Sequence, residues 1–163
     1  MIIREAIPTD EEGIWEIFEP IIHKGETYAY EVAEMDDLSF LWFDSSMHTY
    51  VAIEGKRIIG TYILKPNQPG RGSHVANASY LVRDAVQGKG IGDALCKHSI
   101  QLARELGYEG IQFNLVVSSN NRAVRLWERN GFEVIGTIPK GFRHKKLGLV
   151  DAYIMFLDLI GNK

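Results

Sequence analysis

The sequence predicts an α/β domain in which helices flank a mixed β-sheet. Runs rich in β-branched and aromatic residues alternate with amphipathic helical segments. Tight turns join some of these runs, whereas helical crossovers join others, so the sheet should contain both antiparallel and parallel neighbours. The length of 163 residues fits a single domain, and we predict one over residues 1–163.

The N-terminal half carries signals for a strand, two helices and a hairpin. Thr9 and Glu12 have the spacing of a capping box, which predicts the start of the first helix. Asp36 is a candidate cap for the second helix. The turn Glu54-Gly55-Lys56 should join the two strands of the hairpin. The predicted elements span residues 1–6, 9–22, 36–47, 48–54 and 57–64.

The C-terminal half predicts a strand, a helix, a strand, a helix and two final strands. Gly107 should end the first of these helices, and the stretch Ser118-Ser119-Asn120 offers caps for the second. A loop containing proline and glycine should separate the last two strands. The elements span residues 74–83, 92–106, 109–117, 120–131, 132–138 and 150–159, and the whole order is β-α-α-β-β-β-α-β-α-β-β.

Composition excludes several classes of protein. Lys plus Arg is 18 and Asp plus Glu is 21, a net charge of −3 that disfavours general binding to nucleic acid. The single cysteine, Cys96, cannot form an internal disulfide, which fits a reducing compartment. No apolar run approaches the ~20 residues of a membrane span, and the N-terminus lacks the pattern of a signal peptide. The histidines show no metal-ligand spacing. We therefore predict a soluble cytoplasmic protein without a metal, a nucleic-acid partner or a membrane partner.

The strongest local signal is a glycine-rich loop, Gln87-Gly88-Lys89-Gly90-Ile91-Gly92, between a predicted strand and a predicted helix. Glycines let the backbone approach a ligand closely, and the unpaired N–H groups at a helix start bind anions. The loop therefore predicts a phosphate-bearing ligand. It matches neither the P-loop pattern nor the dinucleotide pattern GxGxxG, because Asp93 stands at the third glycine position of the latter. On these residues alone, a turn without a ligand remains an alternative.

Two spaced motifs resemble the GNAT superfamily of N-acetyltransferases. The first is Gln87-x-x-Gly90-x-Gly92 in the glycine loop. The second lies in the following helix: Asn120-x-x-Ala123-x-x-Leu126-Trp127-x-x-x-Gly131-Phe132. The resemblance implies a mostly antiparallel central sheet, acetyl-CoA as co-substrate without a metal, direct transfer of acetyl to an amine, and a homodimer.

The resemblance also assigns the cofactor site. The loop from Gln87 through Gly92 should hold the pyrophosphate of acetyl-CoA, largely through the N–H groups of Gly88, Lys89, Gly90, Ile91 and Gly92. The backbone of Leu81, Val82 and Arg83 should pair with the pantetheine arm, with the Val82 N–H near the thioester carbonyl. Asn120 should hydrogen-bond the same arm. Arg122 and Arg125 are either phosphate contacts or part of a solvated helix face.

One position departs from the superfamily pattern. Many relatives carry a tyrosine as general acid at the position of Trp127, but an indole N–H does not titrate usefully. We therefore expect Trp127 to pack rather than to donate a proton. Two alternative functions stay open, namely a protein or peptide N-acetyltransferase and an acetyl-CoA-binding module without turnover.

Two amides and one loop are candidates for the acceptor side. Asn77 and Asn114 lie in otherwise apolar strands, where an amide is costly unless it is hydrogen-bonded. Their segments resemble fungal acetyltransferases of proline analogues, which implies that they bind and polarise a small amine or amino acid; the alternative is that they satisfy local backbone. The stretch Glu26-Thr27-Tyr28 resembles the substrate loop of phosphinothricin-type acetyltransferases. Glu26 is a candidate to take the amine proton through water or to pair with an ammonium, and the alternative is a solvated loop carboxylate; Tyr28 either lines the site or only packs. Residues 141–149 are basic and form either a cover for the cleft that favours an anionic substrate group or a solvated loop.

Overall fold

The computed structural model describes residues 1–31 and 40–161, and its elements follow the predicted order. The strands are β1 (Ile2–Glu5), β2 (His48–Glu54), β3 (Arg57–Pro66), β4 (Val75–Val82), β5 (Gly110–Val117), β6 (Glu133–His144) and β7 (Gly148–Asp158). The helices are α1 (Glu11–Lys24), α2 (Phe40–Phe43), α3 (Ile91–Glu105) and α4 (Asn121–Arg129). The predicted cap Asp36 lies outside the described residues.

All seven of these strands form one sheet in the order β1-β2-β3-β4-β5-β7-β6. Every neighbouring pair is antiparallel except β4 and β5, which are parallel because α3 carries the chain back across the sheet between them. The mixed, mostly antiparallel sheet is therefore confirmed.

Helices cover both faces of the sheet. On one face, α3 and α4 pack on buried side chains that include Tyr62 and Phe113. On the other face, α1 buries Ile14, Ile17 and Phe18 against the strands. Apolar side chains three and four residues apart lie on one side of a helix, which is why this sequence gives α1 a single apolar face.

The sheet splits between its two parallel strands. The ladder of β4 and β5 contains only Val75 with Gly110 and Ala76 with Ile111, after which the strands diverge. Beyond that point β4 stays paired with β3 and β5 stays paired with β7, so each half of the sheet is held by its outer neighbour. The split creates a V-shaped cleft in which the facing edges of β4 and β5 do not pair with each other.

The start of α1 differs from the prediction. The helix begins at Glu11 after a short 3-10 turn, and the residue before it is Asp10 rather than Thr9. The Asp10 carboxylate accepts hydrogen bonds from Ile7 N–H (2.8 Å) and from the Arg4 guanidinium (2.7 and 2.9 Å). This carboxylate fastens the turn to β1, and the capping box predicted from Thr9 does not define the helix start.

The predicted loop between the last two strands is also mostly wrong. β6 continues to His144 and β7 begins at Gly148, so only residues 145–147 form the turn between them. Lys140 adopts a left-handed φ of 54°, and its N–H donates to the Asp151 carboxylate at 2.9 Å. Pro139 and Gly141, which suggested a loop, lie in a bulge between Ile138 and Phe142 and do not end the strand.

Candidate active site

The glycine loop ends directly at the N-terminus of α3. Gly88 and Gly90 have φ of 86° and 80°, a left-handed conformation that favours glycine. No side chain caps the helix, and the first helical bond recorded at this end runs from Ala94 N–H to Gly90 C=O. The preceding N–H groups therefore have no partner within the helix, and together with the helix dipole they form a site suited to an anion.

One arginine side chain borders this loop. Arg122, at the start of α4, donates to the Gln87 side-chain oxygen at 2.9 Å, and Gln87 donates in turn to Asp84 at 2.8 Å. An arginine is thus held beside the loop by a residue of the loop itself. Arg125, the other candidate phosphate contact, is exposed on α4.

Asn120 caps α4, as the sequence predicts. Its side-chain oxygen accepts from Ala123 N–H at 3.2 Å, which satisfies one unpaired donor of the helix start. That bond uses only the oxygen of the amide. The NH₂ group can still donate to a ligand in the cleft, so capping and ligand binding are compatible.

The backbone of β4 offers a donor to the cleft at Val82. The N–H of Arg83 donates to Ile59 on β3 at 2.9 Å and therefore points away from the cleft. Because successive residues of a strand direct their N–H and C=O groups to opposite edges, the Val82 N–H points toward β5 and into the cleft. The same alternation turns the N–H of Leu81 toward β3.

An array of amides lies where the two strands part. Asn77 donates to the Gln112 carbonyl at 2.9 Å, the Gln112 side chain donates to Asn114 at 3.0 Å, and Asn114 donates to Asn67 at 2.7 Å. The two predicted asparagines are thus brought into one network through Gln112. Neither Gln112 nor Asn67 was among the residues predicted for the site, and their signal in the sequence is weak: Gln112 is an amide within the apolar strand β5, and Asn67 is an amide directly after β3.

The loop after α1 lies against the far end of β4. The Tyr28 hydroxyl is 3.4 Å from the Tyr80 carbonyl oxygen, and burial raises the pKa of this phenol well above its usual value. Tyr28 therefore stays protonated and can donate. Thr27 is half-buried beside it. Lys146 forms an ion pair with Glu26 at 2.6 Å, and this hydrogen bond holds the pKa of Glu26 below its usual value.

The β6–β7 turn reaches across to the same loop. The Lys145 N–H donates to the Gly25 carbonyl at 2.9 Å, and the Lys145 ammonium donates to the His23 carbonyl at 3.0 Å. With the pair of Lys146 and Glu26, three contacts join the end of α1 to the far half of the sheet. The predicted basic segment thus touches the predicted substrate loop over the cleft.

Trp127 and Cys96 are both buried, and neither is suited to a role as proton donor or nucleophile. Trp127 is 9% exposed and packs between Tyr80 and Phe113, with ring centroids 4.7 and 4.9 Å away. Cys96 is fully buried, and burial raises the pKa of its thiol to about 12. A neutral buried thiol is a poor nucleophile, which argues against an acetyl-cysteine intermediate.

Within residues 1–31 and 40–161, no group of three or more His, Cys, Asp or Glu side chains is arranged to hold a metal ion. Among the helices of those ranges, none is both long and apolar enough to span a membrane.

Comparison with known proteins agrees with the motifs. Residues 13–132 match the model of the acetyltransferase (GNAT) family. The chain is 41% identical over 98 residues to N-acetyltransferase aca1 of Schizosaccharomyces pombe, a match that covers 60% of this chain and 47% of the relative. The chain therefore spans about half the length of that curated relative.

Two solved structures are similar over nearly the full chain. A GCN5-related N-acetyltransferase from Kribbella flavida is 40% identical, with a TM-score of 0.92 and coverage of 97% of each chain. The structure of yncA from Salmonella typhimurium, solved with its cofactor acetyl-CoA, is 25% identical, with a TM-score of 0.86 and coverage of 98% of this chain and 94% of that one.

Proposed function

The chain belongs to the GNAT acetyltransferase family, and on that premise we propose that it moves an acetyl group from acetyl-CoA directly to the amine of a small molecule, an amino acid or an analogue. The observation that carries this proposal is the split between β4 and β5, which places the Val82 N–H, the start of α3 and the asparagine network along one cleft. Cofactor and acceptor can meet there from opposite ends.

The proposed cofactor position follows the donors of the cleft. Residues 87–92 and Arg122 hold the pyrophosphate, the edge of β4 from Leu81 to Arg83 aligns the pantetheine, and the Asn120 NH₂ group donates to the same arm. Of the three β4 residues, Val82 has the N–H aimed into the cleft, so we assign the main contact to it. The similarity to a structure solved with acetyl-CoA supports this arrangement.

The chemistry needs little from ionisable side chains. A neutral amine attacks the thioester carbon, the C–S bond breaks, CoA leaves as a thiolate, and the surplus proton of the amine passes to water. The attack places negative charge on the carbonyl oxygen, and an N–H fixed in advance can stabilise that charge. Val82 supplies this donor, while Asn77 and Asn114 orient and polarise the acceptor. Orientation of both reactants in one cleft supplies much of the remaining acceleration.

The proposal also covers the extent of the domain, the oligomeric state of the protein and its location in the cell. We propose one acetyltransferase domain over residues 1–163, supported by the single sheet that runs from β1 to β7. We also propose a homodimer, supported by exposed apolar side chains on the edge strand β6. A cytoplasmic location stays a prediction from the single, buried cysteine.

An assay of CoA thiol release tests the proposed reaction. The protein with acetyl-CoA is offered a panel of free amino acids, their analogues and simple amines, and calorimetry measures acetyl-CoA binding in parallel. We expect thiol release with a subset of the amino acids. Cofactor binding without release across the panel would reject the small-molecule function. Mass spectrometry of an exposed cell extract then shows whether polypeptides are acetylated instead.

A further inference from the structure

The ion pair of Glu26 and Lys146 bridges the two rims of the cleft. Glu26 comes from the loop after α1, which packs on β3 and β4, whereas Lys146 comes from the turn between β6 and β7. Their side chains are 31% and 74% exposed, so solvent and a small ligand can reach the pair. The pair crosses the cleft rather than lying within one wall.

Two contacts place Glu26 beside the end of β4. Two residues before it, Lys24 forms an ion pair with Asp84, which follows β4. Two residues after it, Tyr28 contacts the carbonyl of Tyr80. Glu26 is therefore held next to the segment that contains Val82, where the proposed function places the thioester.

The turn that carries Lys146 is fixed by a buried histidine. His144 is 8% exposed, and its Nδ1 accepts from the N–H groups of Lys146 and Leu147, both at 3.1 Å. The backbone of Lys146 is held in place, while its long side chain stays free to change partners.

The charges of this site complement those of an α-amino acid: the Lys146 ammonium can pair with its carboxylate, and the Glu26 carboxylate can pair with its ammonium. Lys146 holds Glu26 in its ionised form, and Lys24 adds to that effect. An ion pair between partly exposed side chains contributes little to stability and can be exchanged for other partners at small cost. A ligand that carries both an ammonium and a carboxylate can replace it without leaving either side chain unpaired.

We propose that Glu26 and Lys146 form a zwitterion site, in which the acceptor's carboxylate displaces Glu26 from Lys146 and its ammonium binds the freed Glu26. Before attack, this ammonium releases one proton to water, which gives the neutral amine that the proposed reaction needs. The inference rests on the proposed function and narrows it to amino acids with a free carboxylate. Lys146 is then the residue that sets specificity. Amines without a carboxylate leave the original ion pair intact and are bound less well.

Matched pairs of substrates test this directly. Free L-amino acids and their C-terminal amides share the amine, but only the acids carry the carboxylate. We expect the wild-type protein to prefer the acids, and Lys146→Met to reduce the ratio of kcat/KM for acid over amide by about tenfold, through KM of the acid. Lys146→Glu should shift the preference to the amides.

Lys145→Met is the matched control, because it removes the same charge one residue away and its ammonium is directed to the His23 carbonyl. We expect the control to keep the acid preference. Unchanged calorimetric affinity for acetyl-CoA shows that each variant is folded. The same ratio in the Lys146 and Lys145 variants overturns the inference.

The failure of the inference and the failure of the proposed function give different results. Wild-type protein that acetylates acids and amides equally well keeps the small-molecule function and overturns the zwitterion site. Wild-type protein that acetylates neither series, although it binds acetyl-CoA, overturns both.

Discussion

At the scale of single residues, Asn77 combines a hydrogen bond that the fold needs with a proposed role at the site. Its NH₂ group donates to the Gln112 carbonyl at the point where β4 and β5 separate. That bond satisfies a backbone group that the ending ladder leaves without a strand partner. It uses only the NH₂ group of the amide, so the side-chain oxygen of Asn77 is available to an acceptor amine.

Removing either asparagine should slow the reaction more than it weakens cofactor binding. We expect Asn77→Ala and Asn114→Ala to lower kcat about tenfold, since each loses one hydrogen bond to a polar reactant. Steady-state kinetics and calorimetry with acetyl-CoA measure the two effects separately. Asn121→Ala, an exposed asparagine at the start of α4, is the control and should change neither. An equal loss of acetyl-CoA affinity in the cleft variants would assign them a structural role.

The sequence was sufficient to find these two asparagines but not their network. An amide in an apolar strand is conspicuous because it needs a partner, and alternation along each strand shows which neighbours share its face. The partner itself depends on distance in space. Asn114 bonds Asn67, which lies 47 positions earlier in the chain, and no local pattern specifies that contact.

At the scale of elements, the loop before α3 depends on two left-handed glycines. Replacing Gly90 by glutamate imposes a strained φ of 80° on a residue with a side chain, at a cost of roughly 1–2 kcal/mol. It also places a carboxylate where the proposed pyrophosphate lies. We expect Gly90→Glu to weaken acetyl-CoA binding by at least about tenfold in calorimetry, through charge repulsion and the blocked approach.

Gly55→Glu separates the two causes. Gly55 lies in the β2–β3 turn with φ of 62°, and, like Gly90, it has open space around the position of an added Cβ. Both variants should therefore lose similar stability in thermal unfolding, but only the Gly90 variant should lose affinity. Equal affinities would show that the anion site is not at this loop.

Apart from the capping box at Thr9, elements that depend on local signals were predicted well, whereas those that depend on distant contacts were not. Hairpin turns, helix stops and the Asn120 cap all act within a few residues. The β6 bulge does not, because Lys140 keeps its left-handed conformation through a bond to Asp151 on the next strand. Pro139 and Gly141 beside it are typical of a loop when the partner strand is unknown.

At the scale of the whole molecule, the cleft is a property of the complete sheet. β4 and β5 can separate because their outer edges stay paired with β3 and β7. The β6–β7 turn can reach α1 because β6 and β7 continue to pair with each other beyond the last residue pair of β5 and β7. The motifs assign residues to the cofactor site, and that assignment stays a prediction. The contact of residues 145–147 with the end of α1 depends on the length of the final hairpin, and the strands predicted from the sequence were too short to show it.

The outer edge of that hairpin gives the last prediction. β6 ends the sheet, and three of its apolar side chains, Val134, Ile135 and Ile138, are 42%, 58% and 37% exposed. Apolar groups clustered on an unpaired edge strand favour contact with another chain. We expect a dimer in sedimentation equilibrium, and Ile135→Glu should weaken it about tenfold or more because a charge would enter the apolar contact.

Leu106→Glu, which alters a 43% exposed residue at the end of α3, should leave the dimer unchanged. A wild-type protein that sediments as a monomer, or equal dissociation of both variants, would show that β6 is not the interface.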